Sequence, residues 1–145
     1  ASVAILAPGV NAFRRLRKNL TEPVFNSWGY NTRSAALRIP CSDDGNRRIE
    51  YRLAGADANP YLVAATILTG MLYGLEHIDE GDLSEPQHDQ PELPLFQQEA
   101  IEAFARCQYL TDSLGDAFSE QWVACKLSEL DWFERIVTQE ESHLA

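Results

Sequence analysis

Arg48-Ile49-Glu50-Tyr51-Arg52 alternates charged and apolar side chains, the signature of a β-strand with two unlike faces. Period two puts Arg48, Glu50 and Arg52 on one face and turns Ile49 and Tyr51 the other way. Upstream, Ser42-Asp43-Asp44-Gly45-Asn46 is a turn signal. It separates the run from Arg47 to Leu53 from a second strand-like run, Ser34 to Pro40, and the two are expected to form a hairpin. A third strand-like run covers Val24 to Trp28. Three charges on one strand face form either a solvated surface with internal ion pairs or a seat for an anion.

The rest of the chain reads as helix. Residues 10–18 could form a short basic helix, which Glu22-Pro23 ends, because proline disfavours helical geometry in the residue before it. Asn59 caps and Pro60 opens a helix expected to run to about Ile78. His77 to Pro94 is acidic and rich in Pro and Gln, a surface loop by composition. A second helix is expected from Leu95 to Leu110, with Phe96, Ala100 and Phe104 four apart. A third covers Ser119 to Val137, where Val123, Leu127, Leu130 and Val137 make one apolar stripe. The class is α+β: short antiparallel strands in residues 1–58, the segment that carries the arginines, then three main helices in residues 59–145.

Charge narrows the ligand. The 145 residues carry a net charge of −10. Residues 1–52 nevertheless hold nine of the twelve Lys and Arg against four acids, so that third stands at +5 and the remainder at −15. So acidic a chain is poorly suited to an extended nucleic-acid backbone. A local arginine cluster instead suits a compact anion, phosphate or carboxylate. The apolar stretch Tyr61 to Ile78 is broken by Thr66, Thr69, Gly70, Tyr73, Gly74, Glu76 and His77, so a buried or amphipathic helix is expected rather than a membrane span. No secretion signal opens the chain, and a cytoplasmic setting is expected. Cys41, Cys107 and Cys125 form no CxxC pair and are expected as reduced, mostly buried thiols. His77, His88 and His143 are too scattered for a histidine metal site. The abrupt start at Ala1, without Met, suggests a fragment boundary.

Four ordered motifs resemble glutamine synthetases. Asn11-Ala12-Phe13-Arg14-Arg15-Leu16 is similar to their N-S-Y-K-R-L run, and Asn31-Thr32-Arg33-Ser34-Ala35-Ala36-Leu37-Arg38-Ile39-Pro40 to N-R-S-A-x-x-R-I-P. Arg48 to Arg52 matches R-I-E-x-R, and Asp57-Ala58-Asn59-Pro60-Tyr61-Leu62 resembles D-x-A-N-P-Y-L. Trp28-Gly29-Tyr30 and Ala54-Gly55-Ala56-Asp57 look more like the γ-glutamyl-polyamine branch. The resemblance covers residues 11 to about 75. It implies an ATP-dependent ligase that phosphorylates the γ-carboxylate of glutamate or a similar acid and then passes the acyl group to ammonia or an amine. It also implies a homo-oligomer, with this chain as the C-terminal part of the catalytic domain. By the same resemblance Arg33 and Arg38 would contact the phosphates of ATP and the transferring phosphoryl group, and Arg48 would lie near the nucleotide. Arg15 and Arg52 would hold the acid, and Glu50 would ligate Mg²⁺ or Mn²⁺, a hard-cation role that suits a carboxylate.

Three departures bear on that carry-over. Thr32, not Asn, precedes Arg33, with Asn31 one residue earlier. Where ammonia-using members carry a Glu six residues after the K-R arginine, this chain has Thr21, with Glu22 beside it. The family's N-terminal domain, its earlier acidic strands and its His ligand are absent from these 145 residues. The isolated chain is therefore expected to be inactive. The alternative is a non-catalytic homologue that binds an amino acid or a nucleotide at the arginine site.

Overall fold

The computed structural model describes residues 1–17, 23–78 and 92–137. Lys18, Thr21, Glu22, His88, His143 and most of the acidic loop lie outside these described residues. The elements in chain order are α1 (Val3–Leu6), β1 (Trp28–Tyr30), β2 (Leu37–Ile39), β3 (Glu50–Tyr51), α2 (Pro60–Glu76), α3 (Gln97–Ala105), α4 (Gln108–Leu114) and α5 (Asp116–Glu134). Short 3₁₀ turns at Ala12–Arg14 and Asp44–Asn46 complete the list. The architecture is α+β, as the sequence predicts.

β2 and β3 form the expected hairpin, antiparallel, with Leu37 opposite Tyr51 and Arg38 opposite Glu50. β1 differs from expectation: it begins at Trp28 rather than ending there, and it pairs with β2 in parallel, Gly29 beside Arg38. The sheet is therefore mixed, in the order β1-β2-β3. Parallel neighbours usually need a crossover of a dozen residues or more. Here the strands are three residues long, so residues 31–36 suffice to bring the chain back to the start of β1. Asn31, with φ of 50°, makes the first bend, and its N–H bonds to the Ile39 carbonyl at 2.8 Å. Upstream, Phe25 makes only an isolated bridge with Glu92.

The core is built around α1, which the sequence reading missed. All four of its residues are buried, against Leu16, Leu53, Phe104 and Leu110. A four-residue apolar run is too short to show a helical period. Asp57 closes this end of the core: its carboxylate lies so near the Cα atoms of Gly9 and Gly55 that a Cβ at either would meet it at 2.8 and 2.5 Å.

Arg106 and Cys107 divide the expected second helix in two. Neither is a helix breaker; packing explains the break. Phe104 and Leu110 are both buried, yet six residues along a continuous helix would place them about 120° apart. The break lets both face the core. The third helix starts earlier than expected, at Asp116, one residue past α4, because Gly115 with φ of 89° makes the turn alone.

The apolar stripe expected along α5 is only partly right. Val123 and Leu130 are half-buried, but Leu127 is exposed and Val137 lies beyond the helix end and is exposed. The buried side carries Ser119 and Lys126 instead, with Phe118 and Trp122 packed against the core. Lys126 is covered because its stem lies over the Trp122 ring, 4.7 Å from the centroid, while its amine reaches Glu129 at 2.7 Å. α2 also departs from a buried or plainly amphipathic helix. One side meets α1 and α4, and the row Leu68, Met71, Leu72 and Leu75 is exposed. The cysteines are unpaired, as expected, but Cys41 and Cys125 are exposed rather than buried. Among the described residues no helix is long and apolar enough to cross a membrane.

Asn59 caps α2 as its sequence predicts, accepting from the N–H groups of Tyr61 at 2.9 Å and Leu62 at 3.4 Å. Asn59→Ala is expected to cost about 1 kcal/mol. Amide hydrogen exchange in the first turn of α2 should then accelerate by about fivefold. Unchanged protection there would contradict the cap's assigned role.

Candidate active site

Strand register decides what meets here. Residues paired across a sheet share a face, and successive residues alternate between faces. Gly29, Arg38 and Glu50 therefore line one face of the sheet, and Trp28, Leu37 and Tyr51 the other. Gly29 contributes no side chain beside Arg38, which leaves the guanidinium room on that face. On the opposite face Tyr51 reaches α1, its hydroxyl 3.0 Å from Ser2 Oγ, and burial pushes its pKa up, partly offset by that hydrogen bond.

On the charged face, Arg38 Nη1 donates to Glu50 Oε2 at 2.8 Å, and Arg48 Nη2 lies 3.4 Å from Glu50 Oε1. Each carboxylate oxygen thus has its own guanidinium. The hydrogen bond from Arg38 holds the Glu50 carboxyl below the usual carboxylate range; burial opposes this, and the charges of Arg38 and Arg48 add to it. Arg38 Nη2 donates to Asn31 Oδ1 at 2.9 Å. Among the described residues Arg38 Nε is buried without a partner. Buried donors are nearly always satisfied, so this one suits an anionic oxygen supplied by a ligand.

The other arginines fall around this centre. Arg33 is exposed in the bend before β2, and among the described residues nothing holds its side chain. Five residues apart, Arg33 and Arg38 would face opposite ways along a regular strand; the bend takes Arg33 out of that alternation. Arg52 lies just past β3, where its N–H bonds to the Ala36 carbonyl at 2.9 Å. The regular alternation thus holds only for Glu50–Tyr51, and Ile49 is exposed rather than turned to the core. Arg15 lies against the exit of β3: its Nη2 donates to the Leu53 carbonyl, and its Nη1 sits 3.5 Å from the Arg52 carbonyl. Five of the six predicted site residues thus lie on β2, β3 and the segments that enter and leave them, and Arg15 is joined to that group through the backbone carbonyls of Arg52 and Leu53.

Asn31 is the residue in contact with this centre that the sequence did not point to. It registered only as an Asn displaced one position from Arg33. Its position has a physical reason: Asn tolerates the left-handed backbone, and from there its amide reaches Arg38. Glu50 suits a hard divalent cation in its donor chemistry. Among the described residues, however, there is no group of three His, Cys, Asp or Glu side chains that could complete a metal site. The arginine face is an open wall, and a cleft of about 760 Å³ lies on the Tyr51 side, between α1, α2 and α4.

A charged sheet face that presents guanidinium groups around one carboxylate suits a compact anion, and comparison gives the family. A family model described as glutamine synthetase, catalytic domain, matches residues 1–144, and the chain belongs to that family. It is 43% identical over 145 residues to gamma-glutamylputrescine synthetase PuuA of Escherichia coli, an alignment covering 97% of this chain and 31% of that protein. A glutamine synthetase of Pyrococcus furiosus is 32% identical, covering 99% of this chain and 35% of its own length. Lengsin of Rattus norvegicus is 36% identical, covering 88% and 24%. The solved structure of apo GmaS without ligand superimposes with a TM-score of 0.80 at 28% identity, over 97% of this chain and 34% of that one. The chain thus spans about a third or less of the length of these relatives.

The geometry makes Arg15 a brace for the β3 exit. Arg15→Ala removes the donor to two backbone carbonyls, and about 1–3 kcal/mol of stability should be lost, the cost of leaving buried polar groups unpaired. Denaturant unfolding would measure it. A change within about 0.5 kcal/mol, the range of ordinary surface substitutions, would remove Arg15 from this structural role.

Proposed function

We propose that this chain is the C-terminal part of an ATP-dependent carboxylate–amine ligase and carries its arginine wall. The observation that supports it is the register of β2 and β3, which sets Arg38 beside Glu50 on one face, with Arg48 reaching the other carboxylate oxygen from the segment before β3. Phosphorylation of a carboxylate and displacement of phosphate by an amine both pass through concentrated negative charge. Guanidinium forks kept at the site by strand register and by Asn31 can stabilise that charge.

In this reading Arg33 and Arg38 hold the phosphates and the transferring phosphoryl group, Arg33 being the catalytic contact at the bend. Arg48 borders the nucleotide. Arg15 and Arg52 hold the acid, glutamate or a close analogue, with Arg15 also fixing the segment that presents Arg52. Glu50 would hold Mg²⁺ or Mn²⁺, together with ligands from the rest of the polypeptide. The cation would neutralise charge between the phosphates and the acid. The residues that complete and cover the site come from that remainder and from neighbouring subunits of a homo-oligomer.

The acceptor is a primary amine of the polyamine class. Two features support this: Thr21 stands where an ammonia-using site needs a carboxylate to take the proton, and the relative at 43% identity is named for putrescine. With the complete protein, Mg·ATP and glutamate, phosphate release should show a higher kcat/KM for a diamine than for ammonium, by about tenfold or more, or at least 1.4 kcal/mol. Preference for ammonium, lost in Glu22→Gln, would contradict this acceptor and place Glu22 in the proton-accepting role.

A further inference from the structure

We propose that Arg38 is a guard on Glu50: its guanidinium competes with the divalent cation for the carboxylate, and the phosphates of the nucleotide draw it away. Cation and nucleotide then bind as a coupled pair. The inference rests on the reading of Glu50 as a cation ligand and of Arg38 as a phosphate binder, and it adds the linkage between them.

The geometry carries the argument. Both Glu50 oxygens face guanidinium groups, Oε2 at 2.8 Å from Arg38 and Oε1 at 3.4 Å from Arg48. A hard cation sits roughly 2.0–2.6 Å from a carboxylate oxygen. On either oxygen of Glu50 it would therefore stand close to an arginine nitrogen of like charge. The two arginines differ in how much water screens them: the Arg38 side chain is 20% exposed and that of Arg48 54%. Repulsion is screened less for the more buried group, so Arg38 is the stronger competitor.

Arg38 also has somewhere to go. Its Nη2 is held by Asn31 Oδ1 at 2.9 Å, and its buried Nε has no partner among the described residues. With Asn31 as a pivot, the guanidinium can turn so that Nη1 leaves Glu50 and the orphaned Nε donates to an anionic oxygen. A phosphate oxygen that accepts from Nε satisfies that donor, and the turn relieves the repulsion on a cation at Glu50. Linkage makes the effect reciprocal: whatever nucleotide does for cation affinity, cation does for nucleotide affinity.

The sign of one measurement separates this from an ordinary supporting role. A residue that merely orients a ligating carboxylate strengthens metal binding, and its loss weakens it. A competitor does the opposite. The probe is Mn²⁺, followed by the electron paramagnetic resonance of the free ion, titrated into the complete protein without nucleotide. In Arg38→Gln the Glu50-dependent part of Mn²⁺ binding should tighten by about fivefold or more, the lower end of usual coupling. Asn31→Gly, which keeps the left-handed backbone but removes the pivot, should shift it in the same direction by less. A non-hydrolysable ATP analogue should tighten Mn²⁺ binding in the wild type, and by a smaller factor in Arg38→Gln.

Equal or weaker Mn²⁺ binding in Arg38→Gln, with binding still lost in Glu50→Gln, would overturn the guard and leave the ligase reading standing. Mn²⁺ binding unaffected by Glu50→Gln would overturn the assignment of Glu50, and the guard with it. Should Arg38→Gln lose its secondary structure by circular dichroism, Asn31→Gly decides, and unchanged affinity there overturns the proposal.

Discussion

The arginine face proposed as the site is organised by one cross-strand pair, Arg38 with Glu50. It exists because β2 and β3 are in register at that position. A slip of one residue would place Arg38 on the face that carries Tyr51 and leave Glu50 without its close partner. Several features hold the register. The hairpin turn sets it at one end, and the N–H of Arg52 bonds to the Ala36 carbonyl at the other. Tyr51 anchors the inner face through Ser2, and Arg15 ties down the carbonyls where β3 leaves the sheet. The buried α1 thus serves the site from behind, because it supplies the surface against which β3 sits.

A half-buried ion pair of this kind contributes modestly to stability, since desolvation offsets much of the attraction. Its value here is positional. Arg38 is held at two points, by Glu50 and Asn31, and the Asn31 tie keeps the fork beside the sheet face even when Glu50 is given up. In a chemistry whose transition states gather negative charge, donors already at the site are worth more than donors that must be recruited. Arg33, on the bend and without a tether among the described residues, is the contrasting case, and its ordering would have to come from the ligand or from covering polypeptide.

Much of this was legible in the sequence, where short-range physics controls the outcome. The alternation around Glu50 and the turn at 42–46 specify the hairpin and the charged face, and Asn59-Pro60 specifies the start of α2. The four motifs led to the family. Other features depend on contacts distant in sequence. The parallel pairing of β1 rests on the Asn31 bend, and the break at Arg106-Cys107 on the need of Phe104 and Leu110 to share one core. Helix α1 is too short to carry a period, and Lys126 is buried by a Trp122 ring that no hydropathy pattern reveals. Asn31 itself was visible, but its tie to Arg38 depends on a backbone turn that brings position 31 alongside position 38.

The arginine and carboxylate face of β2 and β3 is proposed to serve acyl-phosphate formation. Hydroxylamine traps an activated acyl group as a hydroxamate whatever the natural amine, so it tests this step without depending on the acceptor. The complete protein, given Mg·ATP, glutamate and hydroxylamine, should form γ-glutamyl hydroxamate together with ADP, and Glu50→Gln should lower that rate by about a hundredfold or more, the scale of losing a principal charge-stabilising group. Hydroxamate formation that persists undiminished in Glu50→Gln, or a folded wild-type protein that forms none, would contradict the account.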